Sequence, residues 1–231
     1  MARLVRLAVA DQAHLVLLRG HGEQAVFRDD VDRAAFLSAL QNACSVERVA
    51  LHAYALLSDH VWLLCTPASA QAMGRAMQAL GRRFSAAFNR RHQRRGSVWD
   101  GRYRATVVEG GTPLLNAMLF VDQAPVREGS ASGALSEAWS SARQHAGMSS
   151  QSALTDAPVY WALGNTPFDR CAAYRVLLEE PQCDQHAQRL TAAVQRGWAI
   201  GSPDFLDGLG QLSSRQVAPR PRGRPRKVVV G

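Results

Sequence analysis

The chain has 231 residues, 47% of them apolar, which suffices for one packed core or for a domain with a smaller appendage. No apolar run approaches the roughly 18 residues of a membrane span. The opening Met-Ala-Arg-Leu-Val-Arg-Leu lacks a signal peptide's apolar core and cleavage site, so a cytoplasmic protein without a membrane partner is expected. The four cysteines (Cys44, Cys65, Cys171, Cys183) lie far apart with no C-x-x-C pair, which argues for reduced thiols and against a zinc site.

The net charge is +8, and all but one of the 27 basic residues are arginine. Nine arginines and one acid, Asp100, lie between Arg75 and Arg104; six basic residues and no acid lie from Arg215 onward. The rest carries 12 basic and 18 acidic residues, so positive charge is confined to two stretches, as expected of polyanion-facing surfaces.

In chain order, the apolar run Ala13–Leu18 predicts a strand, ended by Arg19-Gly20-His-Gly22. Asp29, Asp30 and Asp32 then mark the start of a helix over 30–46, with Ala35, Phe36, Ala39 and Leu40 at helical spacing. Val49–Leu57 and Val61–Thr66 read as strands joined by a turn at Ser58-Asp59. Residues 70–92 form a long helix whose apolar side carries Met73, Met77, Leu80, Phe84 and Phe88. A loop from Gly96 runs into a fourth strand ending at Val108, and Thr112-Pro113 opens another helix. The order β-α-β-β-α-β-α is that of an α+β, ferredoxin-like split βαβ sheet over residues 1–127. Residues 128–156 read as a Ser/Gly/Ala-rich linker, 157–212 as a helical C-terminal extension and 213–231 as a disordered basic tail.

Side chains alternate along a strand, so His60 and Trp62 share a face. Two histidines so spaced would grip a divalent metal; here one place holds an indole, which cannot. The run of arginines at 75, 82, 83, 90, 91, 94, 95, 102 and 104 has no acid along its helix for i,i+4 pairing, which favours phosphate contact. In the tail, Pro221-Arg222-Gly223-Arg224-Pro225 with Arg226 and Lys227 matches an AT-hook: glycine lets the backbone approach the minor-groove floor while the arginines extend along it.

The succession Phe27-Arg-Asp-Asp30, Leu51-His-Ala-Tyr54, Asp59-His-Val61, Phe88-Asn-Arg-Arg-His92, Trp99-Asp-Gly-Arg-Tyr-Arg104 and Pro125-Val-Arg127 resembles the IS200-like, REP-associated tyrosine transposases. Trp161-Ala-Leu-Gly-Asn-Thr-Pro-Phe168 and Gly197-Trp-Ala-Ile-Gly201 look like the extension of one branch of that family. The resemblance implies an HUH-type single-strand DNA endonuclease acting in transposition. Two strand histidines and a helical amide would hold Mg or Mn, and a helical tyrosine would form a 5′-phosphotyrosine link. It also implies partners in single-stranded or hairpin repeat ends, a homodimer, and a place at the nucleoid.

Carried over residue by residue, the first metal position is His60 and the second is Trp62. The family motif Tyr-Ile-x-Leu-Asn-Pro falls on Phe120-Val-Asp-Gln-Ala-Pro125, so Phe120 stands in the nucleophile's place and Ala124 in the amide's. The expectation is a DNA-binding member with impaired chemistry and poor metal binding, since a hard cation needs several oxygen ligands. Retained activity would need another nucleophile, such as Tyr103, with Asp122 or Gln123 replacing the lost ligand; a third reading is a remnant without a role.

Overall fold

The computed structural model describes residues 6–149, 154–180, 183–213 and 215–219. Strands β1 (Ala13–Arg19), β2 (Val49–Leu56), β3 (His60–Pro67) and β4 (Arg104–Val108) form one antiparallel sheet in the order β2-β3-β1-β4. With α1 (Asp30–Glu47), α2 (Ala72–Arg91) and α3 (Thr112–Asp122), the chain order is the β-α-β-β-α-β-α that the sequence predicts.

Local chemistry sets the helix ends. The Asp29 carboxylate accepts from the Asp32 amide and caps α1, which ends where Arg48 takes a left-handed φ of 54°. Helix α3 stops at Asp122 and a short helix, α4 (Ala124–Arg127), follows; Pro125 has no N–H to carry the ladder across.

Two apolar layers sandwich the sheet. On one face Val16, Leu18, Val61 and Leu63 pack against Phe36 and Leu40 of α1 and Met77, Leu80, Phe84 and Phe88 of α2. On the other, Leu15, Leu17, Trp62 and Leu64 pack against Met118, Phe120 and Val121 of α3. Three C-terminal helices complete this second layer: α6 (Pro158–Trp161), α7 (Pro167–Glu179) and α8 (Asp184–Arg196). Their Tyr160, Tyr174, Leu178, Leu190 and Val194 join the cluster of Phe120, while α9 (Pro203–Leu212) packs Leu209 in a separate small cluster with Leu7 and Val107.

Later chain also covers both sheet edges, which would otherwise present unsatisfied backbone. Along β2, Leu56 N donates to Trp139 O (2.9 Å) and Ser141 N to Tyr54 O (2.9 Å), so part of the segment expected as a linker lies on the sheet. It also holds α5 (Ala142–His145). Along β4, Ile200 N donates to Val107 O and Glu109 N to Ile200 O, both at 2.8 Å. The Gly197-to-Gly201 motif is thus an edge strap. Gly197 closes α8 at φ 71°, and a Cβ on Gly201 would lie 2.4 Å from the Phe205 ring.

The start of the tail is packed where the sequence predicted disorder. Val217 is buried with Leu7, Val107, Ala199 and Leu209, and Ala199 N donates to Val217 O at 2.8 Å. One buried apolar side chain, Val217, anchors the segment, a signal too brief to register as periodicity. The AT-hook-like residues Arg222, Gly223, Arg224, Pro225, Arg226 and Lys227 lie outside the described residues. Among the described residues no helix is long and apolar enough to cross a membrane.

Candidate functional site

His60 opens β3 directly after a turn pinned from outside: Gly20 N donates to Asp59 O (2.6 Å) and Val26 N to Ser58 O (2.8 Å). The imidazole is 5% exposed and held on both sides, Nδ1 to Asp59 Oδ1 at 2.7 Å and Nε2 to Glu128 Oε1 at 3.1 Å. Burial alone would lower its pKa, but Glu128 and then Asp59 outweigh it, and the net direction is upward. Glu128 directly follows α4, so this contact ties the strand to the C-terminal end of α4. Sequence reasoning missed it, because nothing in the chain marks a carboxylate 68 positions away as the partner.

Two residues along, Trp62 is buried and meets Phe120 edge-on, with ring centroids 4.9 Å apart and planes at 84°. Phe120 is fully buried, and the Arg127 guanidinium lies 3.9 Å over its ring while donating to its carbonyl at 2.8 Å. Burial lowers the Arg127 pKa to about 10 despite the nearby Glu128. Ala124 is fully buried in the same cluster. The fold therefore places Trp62, Phe120 and Ala124 in one apolar cluster, with the Trp62 indole beside the His60 ring at 6.2 Å between centroids. Trp62 Nε1 has no acceptor among the described residues.

A divalent cation does not fit these side chains. One imidazole remains, its ring nitrogens face carboxylates on opposite sides, and indole and alanine offer no donor. Among the described residues no group of three or more His, Cys, Asp or Glu is placed to hold a metal. Nor do the candidate replacements converge on His60. Asp122 is fully buried and accepts from Ser141 Oγ, His145 Nδ1 (2.7 Å) and Tyr174 OH (2.7 Å). Gln123 Nε2 donates to the carbonyls of Leu178 (3.0 Å) and Glu180 (2.9 Å). Both side chains fasten α3 to the C-terminal extension. Tyr103 packs against the cluster of Leu18 and Val61, the sheet face opposite that of Trp62. Burial raises its phenol pKa, against the pull of Arg6 and Arg102.

The arginines from 75 to 104 divide into two groups. Arg75 pairs with Glu47 (2.5 Å), and Arg91 with Asp29 and Asp32 (both 2.6 Å). The acids that α2 lacks are supplied by and beside α1, so the expectation of phosphate contact is weakened for these two. The Arg91 hydrogen bond is the largest cause lowering the Asp29 pKa to about 2. Arg83 donates to Asn42 (3.0 Å) and Arg94 to Gln24 (3.1 Å). Arg82, Arg90, Arg95, Arg102 and Arg104 are exposed and have no side-chain partner among the described residues.

Residues 10–119 match the family model of the IS200-like transposases. Residues 60 and 62 lie within that match, residues 120 and 124 just beyond it. A solved structure of a REP-associated tyrosine transposase bound to a REP hairpin is similar at a TM-score of 0.52 and 11% identity, over 68% of this chain and 99% of that one. A second, a Deinococcus radiodurans protein described as a transposase, is 20% identical over 47% of this chain and 88% of its own, at a TM-score of 0.36. No curated protein matches. The mixed α+β sheet agrees with the match of residues 10–119 to the IS200-like transposase model, a match that spans just under half of the chain.

Proposed function

We propose that this protein binds DNA through the transposase scaffold without cutting it. The observation that carries the reading is the edge-on packing of Trp62 on Phe120 at 4.9 Å, at the positions where the family resemblance expects a metal ligand and a nucleophile. Phenylalanine has no oxygen to attack phosphorus, and the two carboxylates flanking His60 favour its imidazolium form, which has no lone pair to offer a metal. Further support is the placement of Tyr103 on the other face of the sheet, away from His60.

The ligand to test first is a hairpin, because a transposase of similar fold has been solved with one. Phosphate contacts from the exposed arginines make binding fall steeply with salt. The tail, read as a minor-groove contact, adds affinity for A·T-rich duplex, and a DNA-bound protein of this kind sits at the nucleoid. Incubating the full chain with labelled hairpin DNA and Mn²⁺ tests the reading. The expected result is a salt-sensitive complex that dissolves on denaturation. A species surviving denaturation as a covalent adduct would overturn it, and a chain that neither melts cooperatively nor binds DNA would instead mark a remnant.

A further inference from the structure

The packing of α8 beside β4 gathers five arginines outside the His60 site. Arg102 and Arg104 come from the entry into β4, Arg196 from the last turn of α8, and Arg6 and Arg215 from the two ends of the described chain. They line a cleft of about 320 Å³, near the lower limit for sites that receive small molecules, and no carboxylate lines it. A concave site walled by one sign of charge focuses the field and concentrates counter-ions.

Two of the five guanidinium groups are fixed against backbone carbonyls. Arg6 Nε donates to Tyr103 O at 3.1 Å, and its guanidinium carbon lies 4.0 Å over the Tyr103 ring. Arg215 Nη2 donates to Gly197 O, the carbonyl that follows the last turn of α8, and so offsets the negative end of that helix. Gly197 has a φ of 71°, and a Cβ there would lie only 3.4 Å from Arg215 Nη1, so the bare backbone lets this arginine approach. Burial pushes the Arg215 pKa down, the mark of a cation short of water. Arg102, Arg104 and Arg196 are exposed and make no side-chain hydrogen bond or ion pair among the described residues.

Charge density decides which anion suits such a cleft. A DNA strand brings a single charge with each phosphate, and a space of this volume holds only a short piece of it. Phosphates joined by anhydride bonds crowd several charges into the same space, and each adds oxygens that accept the paired N–H groups of a guanidinium. We propose that the cleft between β4 and the end of α8 binds a short chain of linked phosphates, free or carried by a nucleoside triphosphate. Bound there, the chain bridges β4 and the C-terminal extension. The site stands apart from the DNA-binding reading, because Arg82 and Arg90 of α2 take no part in its lining.

The test is calorimetric titration of the full chain, at fixed ionic strength and without divalent metal. The probes are tripolyphosphate, adenosine triphosphate, orthophosphate, citrate and a blunt hairpin DNA. Tripolyphosphate and adenosine triphosphate should bind saturably, and orthophosphate and citrate far more weakly. Arg104→Gln and Arg196→Gln, at exposed positions where the fold is kept, should each weaken tripolyphosphate about tenfold. Arg189→Gln removes an exposed charge of α8 outside the lining and should leave that affinity unchanged. The proposal is overturned if tripolyphosphate does not bind, if citrate binds as tightly, or if all three variants weaken it equally, which would be attraction by net charge alone. Adenosine triphosphate binding without tripolyphosphate would equally refute it, since the phosphate chain would then not be what is recognised. Hairpin affinity lost in Arg104→Gln and Arg196→Gln, with tripolyphosphate unbound, would assign these arginines to DNA instead. A hairpin that fails to bind while tripolyphosphate does refutes the DNA-binding reading and leaves this site standing.

Discussion

Replacing His60 with alanine separates a structural histidine from a metal ligand. Its imidazole makes two charge-assisted hydrogen bonds, at 2.7 and 3.1 Å, to carboxylates whose side chains are 36% and 34% exposed. Bonds to charged groups contribute about 1.5–3 kcal/mol when dry, but partial exposure screens each of these to about 1 kcal/mol. The vacated ring volume adds about 1 kcal/mol, so His60→Ala should cost about 2–3 kcal/mol. At this chain length that lowers Tm by roughly 5–10 °C. The sign with pH follows from the raised pKa of His60. A group that holds its proton more tightly when folded stabilises fully below the ordinary histidine value, near 6.5, and loses that contribution as pH rises through the folded-state value. The gap in Tm between wild type and variant should therefore be widest near pH 6 and close as the solution becomes alkaline. His14, lowered to about 4 by burial, and His52, also lowered by burial, act in the opposite sense but are present in both proteins and cancel. Thermal melts of both proteins from pH 5.5 to 9, with and without Mn²⁺, supply the measurement. A gap that is constant or widens with pH, or a Mn²⁺-dependent rise in Tm lost with His60, would refute the reasoning.

Asp122→Asn should be costly, about 3–5 kcal/mol, because the carboxylate accepts from Ser141, His145 and Tyr174 in a fully buried setting; a denaturant melt with faster proteolysis of the C-terminal helices would register it. Arg91→Gln should lower Tm and leave hairpin affinity nearly intact, since its guanidinium is spent on Asp29 and Asp32. Arg82→Gln with Arg90→Gln should do the reverse, keeping Tm while reducing the salt slope by roughly 0.7–0.9 per charge. Truncation after Pro219, which keeps the packed Val217, should lower affinity for A·T-rich duplex and flatten the salt dependence without changing the melt; an unchanged slope would show that the tail does not touch DNA.

The sequence by itself determined the elements and their order. Strand alternation placed His60 and Trp62 on one face, Asp29 marked the start of α1, and Thr112-Pro113 marked the start of α3. These features follow from short-range geometry with a fixed period, and a single chain displays them directly. The proposed chemical deficit rests instead on the family resemblance, which sets Trp62, Phe120 and Ala124 at the positions of a metal ligand, a nucleophile and an amide.

Only the tertiary structure decided which groups meet. Arg75 and Arg91 looked unopposed because their acids sit on or beside another helix, and Asp122 looked available until Ser141, His145 and Tyr174 closed on it. Tyr103 was separated from His60 by the parity of strand pairing, which sets Leu17 opposite both Trp62 and Arg104 and leaves residue 103 to the other face. Charges and hydrogen-bonding groups carry no periodicity that names a distant partner. The lining shared by Arg102, Arg104 and Arg196 exists because α8 packs beside β4, a contact between segments about 90 residues apart that depends on the whole core.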